Sequence, residues 1–209
     1  RVLHNPLRRQ RQMCIRDSGY HGDTIGTMSA GERGVFNVPF EPLLFGVDRL
    51  PFPDAEKEQE TLDAFEGLCR SGKVAAILIE PLILGAGGMK HYDKAVLCAL
   101  KEIASRYGCL FIADEVMTGW GRTGTHFACD QAGITPDILC TSKGLTGGSL
   151  PLAATLCTAE IFDAHLSQDR SKTFFHSSSY TANAIACAAA VANLEVWRSE
   201  PVEARIACL

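Results

Sequence analysis

The stretch Leu110-Phe111-Ile112-Ala113, followed directly by Asp114-Glu115, joins four apolar residues to two carboxylates. An apolar run of this length, without alternation, is typical of a strand that is buried on both faces of a parallel sheet. The alternation of such runs with segments of helical length predicts an α/β fold, a mostly parallel sheet covered by helices on both faces. The other strand-like runs are 74–79, 137–141 and 152–158, and the helical segments are 57–70, 93–107 and 183–197.

The segment 93–107 shows the helical pattern most clearly. Its apolar residues recur at the spacing of one helix face, and Gly108 follows as a C-terminal stop. Thr158 is a candidate N-cap for a further helix that begins at Ala159. The face of the 93–107 helix comprises Val96, Leu97, Leu100, Ile103 and Ala104.

The composition gives no reason to expect nucleic acid or a membrane as a partner. The 209 residues carry a net charge of −4, which does not attract polyanions. No apolar run approaches the roughly 20 residues that a membrane-spanning helix needs. The nine cysteines form no C-x-x-C pair, so we expect reduced thiols in a cytoplasmic protein. The histidines show no metal-ligand spacing, and we expect no metal.

Residues 1–18 differ in character from the rest of the chain. They include five arginines, show no clear periodicity, and lack the apolar stretch of a signal peptide. We predict that this basic segment is disordered or foreign to the domain, and that the fold comprises residues 19–209. A basic arm that binds nucleic acid is the less favoured alternative.

Ionisable residues follow three of the predicted strands: Glu80, Asp114 and Lys143. The carboxyl ends of parallel strands meet at one edge of a sheet, where ligands bind, so we expect these side chains to lie close together. Taken singly, each of these residues is as well explained as the first residue of a solvated loop as by a role in binding. Glycine-rich loops after each strand favour a ligand site, because glycine allows close approach of the backbone. These loops are 85–88, 119–124 and 144–148.

An aspartate and a lysine at neighbouring strand ends are the pair that pyridoxal-phosphate (PLP) chemistry needs. Lys143 would condense with the cofactor aldehyde, and Asp114 would face the ring nitrogen and keep it protonated. A protonated ring withdraws electrons from the carbanion that forms when the substrate loses its proton. Once displaced by substrate, Lys143 would be a free amine placed to carry that proton.

Several motifs, in this order, resemble the signature of the class III PLP-dependent aminotransferases. They are Phe111 to Val116, the Gly-Arg-Thr-Gly stretch at 121–124, and Lys143 at the spacing from Asp114 that the family pattern requires. Within the family, the segments 19–24, 79–89, 136–140 and 145–148 resemble the branch that acts in biotin biosynthesis. That branch transfers an amino group from S-adenosylmethionine to 8-amino-7-oxononanoate.

The resemblance implies a PLP fold type I aminotransferase large domain and a set of residues that bind the cofactor. Tyr20 would stack on one face of the ring and Val116 would pack on the other. Asp114 would pair with the ring nitrogen, Lys143 would hold the cofactor covalently, and Glu80 would lie near the ring and its hydrogen bonds.

The resemblance also implies a homodimer and a substrate site. Ser179 would donate its hydroxyl to the cofactor phosphate of the neighbouring subunit, although the family commonly has threonine there. Ser177 would lie where the backbone meets the oxononanoate substrate. Tyr20 and Asp23 would shape the site around the adenosylmethionine donor.

Family members extend beyond this chain at both ends, so the resemblance implies an incomplete domain, a fragment with little or no activity. Two alternatives remain open. One is another class III omega-aminotransferase with a different amine donor, lysine included. The other is a non-catalytic remnant, which would be marked by exposed apolar surface.

Overall fold

The computed structural model describes residues 12–16, 19–35 and 37–209. Among these residues, the strands build a six-stranded sheet and a separate two-stranded ribbon. In chain order the strands are β1 Gln12–Arg16, β2 Asp48–Leu50, β3 Val74–Ile79, β4 Ile83–Leu84, β5 Lys90–His91, β6 Leu110–Asp114, β7 Ile138–Thr141 and β8 Ala154–Cys157.

The order across the large sheet is β2-β1-β3-β6-β7-β8. The first five strands run parallel to their neighbours, and β8 at the edge is antiparallel to β7. Strands β4 and β5 form the antiparallel ribbon. Four strands, β3, β6, β7 and β8, occupy the runs that the sequence predicts.

Helices occupy the segments between the strands and the C-terminal part of the chain. The α-helices are α1 Ile25–Ala30, α2 Glu58–Arg70, α3 Lys94–Tyr107, α4 Ala128–Gln131, α5 Ala159–His165, α6 Ala184–Ser199 and α7 Val202–Ala207. Short 3-10 turns cover Val38–Leu43, Lys143–Thr146 and Arg170–Lys172. No helix in the described part of the chain is long and apolar enough to cross a membrane.

Helix α3 begins and ends where the sequence predicts. The Asp93 carboxylate accepts a hydrogen bond from the Ala95 amide at 2.7 Å, which caps the first turn. Gly108 ends the helix in the left-handed conformation, with φ 66°. All five residues of the predicted apolar face are buried, which confirms that face. Thr158 does precede α5, but its side chain makes no capping hydrogen bond.

The two faces of the sheet bury alternate residues of the same strands. Ile77 and Phe111 belong to the main core with α2 and α3, whereas Leu78 and Ile112 pack on the opposite side with Ala30 of α1. Successive side chains of a strand point to opposite faces, so one apolar run supplies both cores. The predicted fold class, a mostly parallel sheet with helices on both faces, is confirmed.

The structure differs from the prediction in the segment 1–18. Gln12–Arg16 forms β1 and lies inside the sheet between β2 and β3. Cys14 and Ile15 are fully buried, one in each core. Three consecutive apolar residues, 13–15, are enough to fill an internal parallel strand, although so short a run was too weak a signal among the arginines. Residues 1–11 and 17–18 lie outside the described part.

We expect Leu100→Ala to lower the free energy of unfolding by about 2–5 kcal/mol, because Leu100 is fully buried between α3 and the sheet. Urea denaturation followed by circular dichroism measures the change. Glu102→Ala, exposed on the same helix, should stay within about 0.5 kcal/mol of the unsubstituted chain. Equal losses in the two variants would contradict the assignment of this core.

Candidate active site

The carboxyl ends of β3, β6 and β7 meet at one edge of the sheet. A cavity of about 200 Å³ lies there. It is lined by five of the residues that the sequence singles out, together with four of their neighbours. The five are Tyr20, Glu80, Asp114, Val116 and Lys143, and the neighbours are His21, Gly22, Ala86 and Met117.

The Asp114 carboxylate is buried at the end of β6 and has two hydrogen-bond donors. Val116 donates its amide to Oδ1 at 3.1 Å, and His21 Nδ1 lies 2.7 Å from Oδ2. The His21 side chain is itself only 3% exposed. The two partners compensate the burial of the carboxylate and fix its plane.

His21 is a site residue that the sequence reasoning missed. Its spacing from the other histidines bears only on metal binding and gives no sign of a partner on a distant strand. The sequence offers one indication of this role: His21 is next to Tyr20 in the Tyr-His-Gly-Asp-Thr segment. A loop that brings Tyr20 to the end of β6 can bring its neighbour there as well.

The Glu80 carboxylate joins two loops at the rim of the cavity. It accepts hydrogen bonds from the Tyr20 amide at 3.2 Å and from the Gly85 amide at 3.0 Å. A Cβ at position 85 would collide with the Met117 sulfur, so any side chain there would require the Met117 side chain to move. The observed role of Glu80 is therefore to position the loop that carries Tyr20.

Asp23 lies in a second cavity, of about 650 Å³, which shares Tyr20, Gly22 and Ala86 with the first. The Asp23 carboxylate lies close enough to the Tyr20 phenol to favour its protonated form, and this side-chain interaction is the main cause that raises the pKa of Tyr20 above its usual value. Glu32 and Arg33 also line the second cavity. The carboxylates of Asp23 and Glu32 and the guanidinium of Arg33 thus line a cavity that adjoins the first one.

Glu115, the second carboxylate after β6, points away from the cavity into the protein. It is fully buried and accepts hydrogen bonds from the amides of Ala128 and Cys129, at 3.0 and 2.8 Å, and from the Thr118 hydroxyl. Glu115 therefore closes the loop between β6 and α4, which carries Val116.

Ser177 and Ser179 do not line either of these two cavities. Both lie in an exposed segment before α6, which begins after the N-cap Asn183. The described chain therefore brings five of the predicted residues, Asp114 and Lys143 among them, into one cavity. It places Asp23 in the adjoining cavity and leaves both serines exposed.

The comparisons with known proteins agree with this architecture. The family model described as Aminotransferase class-III matches residues 4–209. The adenosylmethionine-8-amino-7-oxononanoate aminotransferase of Synechococcus elongatus is 49% identical over 92% of this chain and 47% of its own length.

Solved structures agree as well. A crystal structure of adenosylmethionine-8-amino-7-oxononanoate aminotransferase from Methanocaldococcus jannaschii superposes with a TM-score of 0.86 and 38% identity, over 95% of this chain and 47% of that one. An amine transaminase from an uncultivated Pseudomonas species, solved in its PLP-bound form, has a TM-score of 0.84 and 33% identity, over 95% and 47%.

The sheet and its helices are those of a PLP fold type I aminotransferase domain. The chain belongs to the class III aminotransferase family, which confirms the resemblance seen in the sequence. It spans about half the length of the curated relatives that it matches.

We expect Asp23→Asn to lower the pKa of Tyr20 toward the ordinary tyrosine value. A carboxylate acceptor favours the protonated phenol, so Tyr20 in the unsubstituted chain should ionise at higher pH. The stabilisation is present below the unfolded pKa and is lost as pH rises through the raised folded pKa. NMR titration of labelled tyrosine measures it, and Tyr20→Phe assigns the signal.

Asp63→Asn, an exposed substitution on α2, serves as the control and should leave the Tyr20 titration in place. An unchanged Tyr20 pKa in Asp23→Asn would contradict the influence of the Asp23 carboxylate on the Tyr20 phenol.

Proposed function

We propose that this chain carries the PLP-binding residues of an aminotransferase that moves an amino group from S-adenosylmethionine to 8-amino-7-oxononanoate in biotin biosynthesis. Strand β1 and residues 19–209 would be part of its PLP-binding large domain. The observation that supports this most is that Lys143 and Asp114 line one cavity with Tyr20 and Val116.

The side chains around the cavity fit PLP in their chemistry. Lys143 offers an amine and Asp114 offers a buried carboxylate that two donors already orient. Tyr20 supplies an aromatic ring and Val116 an apolar surface for the two faces of a flat ligand. When bound, PLP supplies an electron sink for the charge that develops on the substrate carbon.

Each residue then has a role that follows from its contacts. Asp114 would pair with a protonated ring nitrogen, and His21 would hold the carboxylate in the plane that this pairing needs. Glu80 would keep Tyr20 against the ring through the Tyr20 amide. Lys143 would hold the cofactor and, once released by the substrate, would move the substrate proton at Nζ.

The second cavity supports the substrate assignment. Asp23, Glu32 and Arg33 line it beside Tyr20, so a substrate bound in the first cavity would extend toward both acidic and basic groups. A cationic donor such as S-adenosylmethionine would be attracted by Asp23. Ser177 would contact the oxononanoate substrate.

The phosphate group needs partners from elsewhere. Among the described residues that line the first cavity, none is a serine, threonine or arginine, the usual partners of phosphate. The exposed Ser179 suits a role in a homodimer, where it would reach the site of the other copy. All nine cysteines are free thiols, which fits a cytoplasmic protein.

Reduction by borohydride tests the cofactor assignment directly. After incubation with PLP, reduction and digestion, we expect the added mass predominantly on Lys143, because Lys143 lines one cavity with a carboxylate and an aromatic side chain. Lys143→Ala should remove the label, whereas Lys73→Ala, an exposed control, should not. Equal labelling of Lys143 and Lys73 in a folded chain would refute the assignment.

A donor screen tests the substrates. In a full-length chimera, residues 4–209, which match the family model and include β1, replace the corresponding segment of the Synechococcus elongatus relative. We expect S-adenosylmethionine to convert the cofactor to its amine form, followed by absorbance, with the parent enzyme as control. Conversion by lysine or another amine alone would favour a different class III aminotransferase. Conversion by none would favour a non-catalytic remnant.

A further inference from the structure

The turn that carries Lys143 has an unusual backbone. Lys143 has φ 44°, in the left-handed region that side-chain-bearing residues rarely adopt. Only Ser142 separates it from the end of β7, and it begins the 3-10 turn Lys143–Thr146, which Gly147 ends with φ 62°. Such a conformation persists only where the surrounding structure holds it. The contacts around the turn therefore decide where the Lys143 amine lies.

Trp120 packs against the turn on both sides of Lys143. Its Nε1 donates a hydrogen bond to Thr141 Oγ1 at 2.8 Å, two residues before Lys143. Its Cβ lies so close to Gly144 that a Cβ at position 144 would collide with it. Trp120 is itself in the left-handed region, with φ 61°.

Helix α6 holds the same turn from another direction. Asn193 Nδ2 donates hydrogen bonds to the carbonyl oxygens of Gly144 and Leu145, at 2.9 and 3.2 Å. Trp197, one turn further along α6, meets the Trp120 ring edge-on with centroids 5.7 Å apart. The Trp197 ring also stacks on His126 at 4.5 Å.

We propose that Trp120 and Asn193 are positioning residues that hold the Lys143 turn in its left-handed conformation and so set the place of the amine in the cavity. This rests on the proposed role of Lys143 as the cofactor lysine. Neither residue lines the cavity, so each acts through the backbone of the turn. Lys143 would be poised before the cofactor arrives, which lowers the cost of ordering it at the moment of reaction.

The test combines two measurements on the chain as it exists. The first is the rate at which PLP and borohydride label Lys143, relative to Lys73 in the same sample. The second is amide hydrogen exchange at residues 143–148, whose protection comes from bonds such as Gly148 N to Lys143 O, 3.0 Å. Hydrogen exchange requires no cofactor, so it reports on the turn alone.

Two substitutions each remove the hydrogen bonds that one side chain makes around the turn. Asn193→Asp keeps the shape of the side chain and removes the two donors. Trp120→Phe keeps an aromatic ring and removes the indole N–H. We expect faster exchange in the turn for both, and a Lys143 labelling rate about ten- to a hundredfold lower for Asn193→Asp. Glu195→Gln, exposed on the same helix, should change neither.

The control for lost stability is Leu100→Ala, which weakens the core without touching the turn. It should leave the ratio of Lys143 to Lys73 labelling unchanged under folding conditions. Unchanged exchange in Asn193→Asp and Trp120→Phe would overturn the proposal. Absence of Lys143 labelling in the unsubstituted chain would count against the cofactor assignment, and the exchange data would still decide whether these residues hold the turn.

Discussion

Parallel pairing of β3, β6 and β7 is the constraint on which the rest of the site depends. Because these neighbouring strands run in one direction, their carboxyl ends meet at one edge, and Glu80, Asp114 and Lys143 arrive there from distant parts of the sequence. The apolar runs that drive this pairing bury side chains in two cores at once. Hydrophobic burial thus sets the place of the polar groups, although those groups contribute little to the burial themselves.

Three buried carboxylates at this edge are satisfied in three different ways. Glu115 turns inward and binds the first amides of α4. Glu80 joins two loops through backbone amides. Asp114 alone shares its oxygens between a backbone amide and an imidazole while it lines the cavity. A buried charge is expensive unless it is paired, and the amide contacts that pair Glu80 and Glu115 also hold the loops next to Asp114.

The outer surface of the C-terminal half is markedly apolar. Several large side chains on and before α6 are exposed, and the chain spans about half the length of its relatives. Exposed apolar patches mark surfaces that another part of a protein or a second copy covers. The same helix donates hydrogen bonds from Asn193 to the Lys143 turn and packs Trp197 against Trp120. The exposed residues are Phe174, Phe175, Tyr180, Ile185, Val191, Leu194 and Val196.

The sequence by itself determined the fold class, the bounds of α3, four of the strands and the family, because these follow from local patterns of apolar residues, caps and motif order. It also identified Lys143 and Asp114 as residues that follow strands. Only the tertiary structure decided that Gln12–Arg16 enters the sheet, that His21 pairs with Asp114, and that Glu80 and Glu115 act on loops. These contacts join residues far apart in the chain, and their geometry depends on strand order and loop packing, which no local pattern encodes.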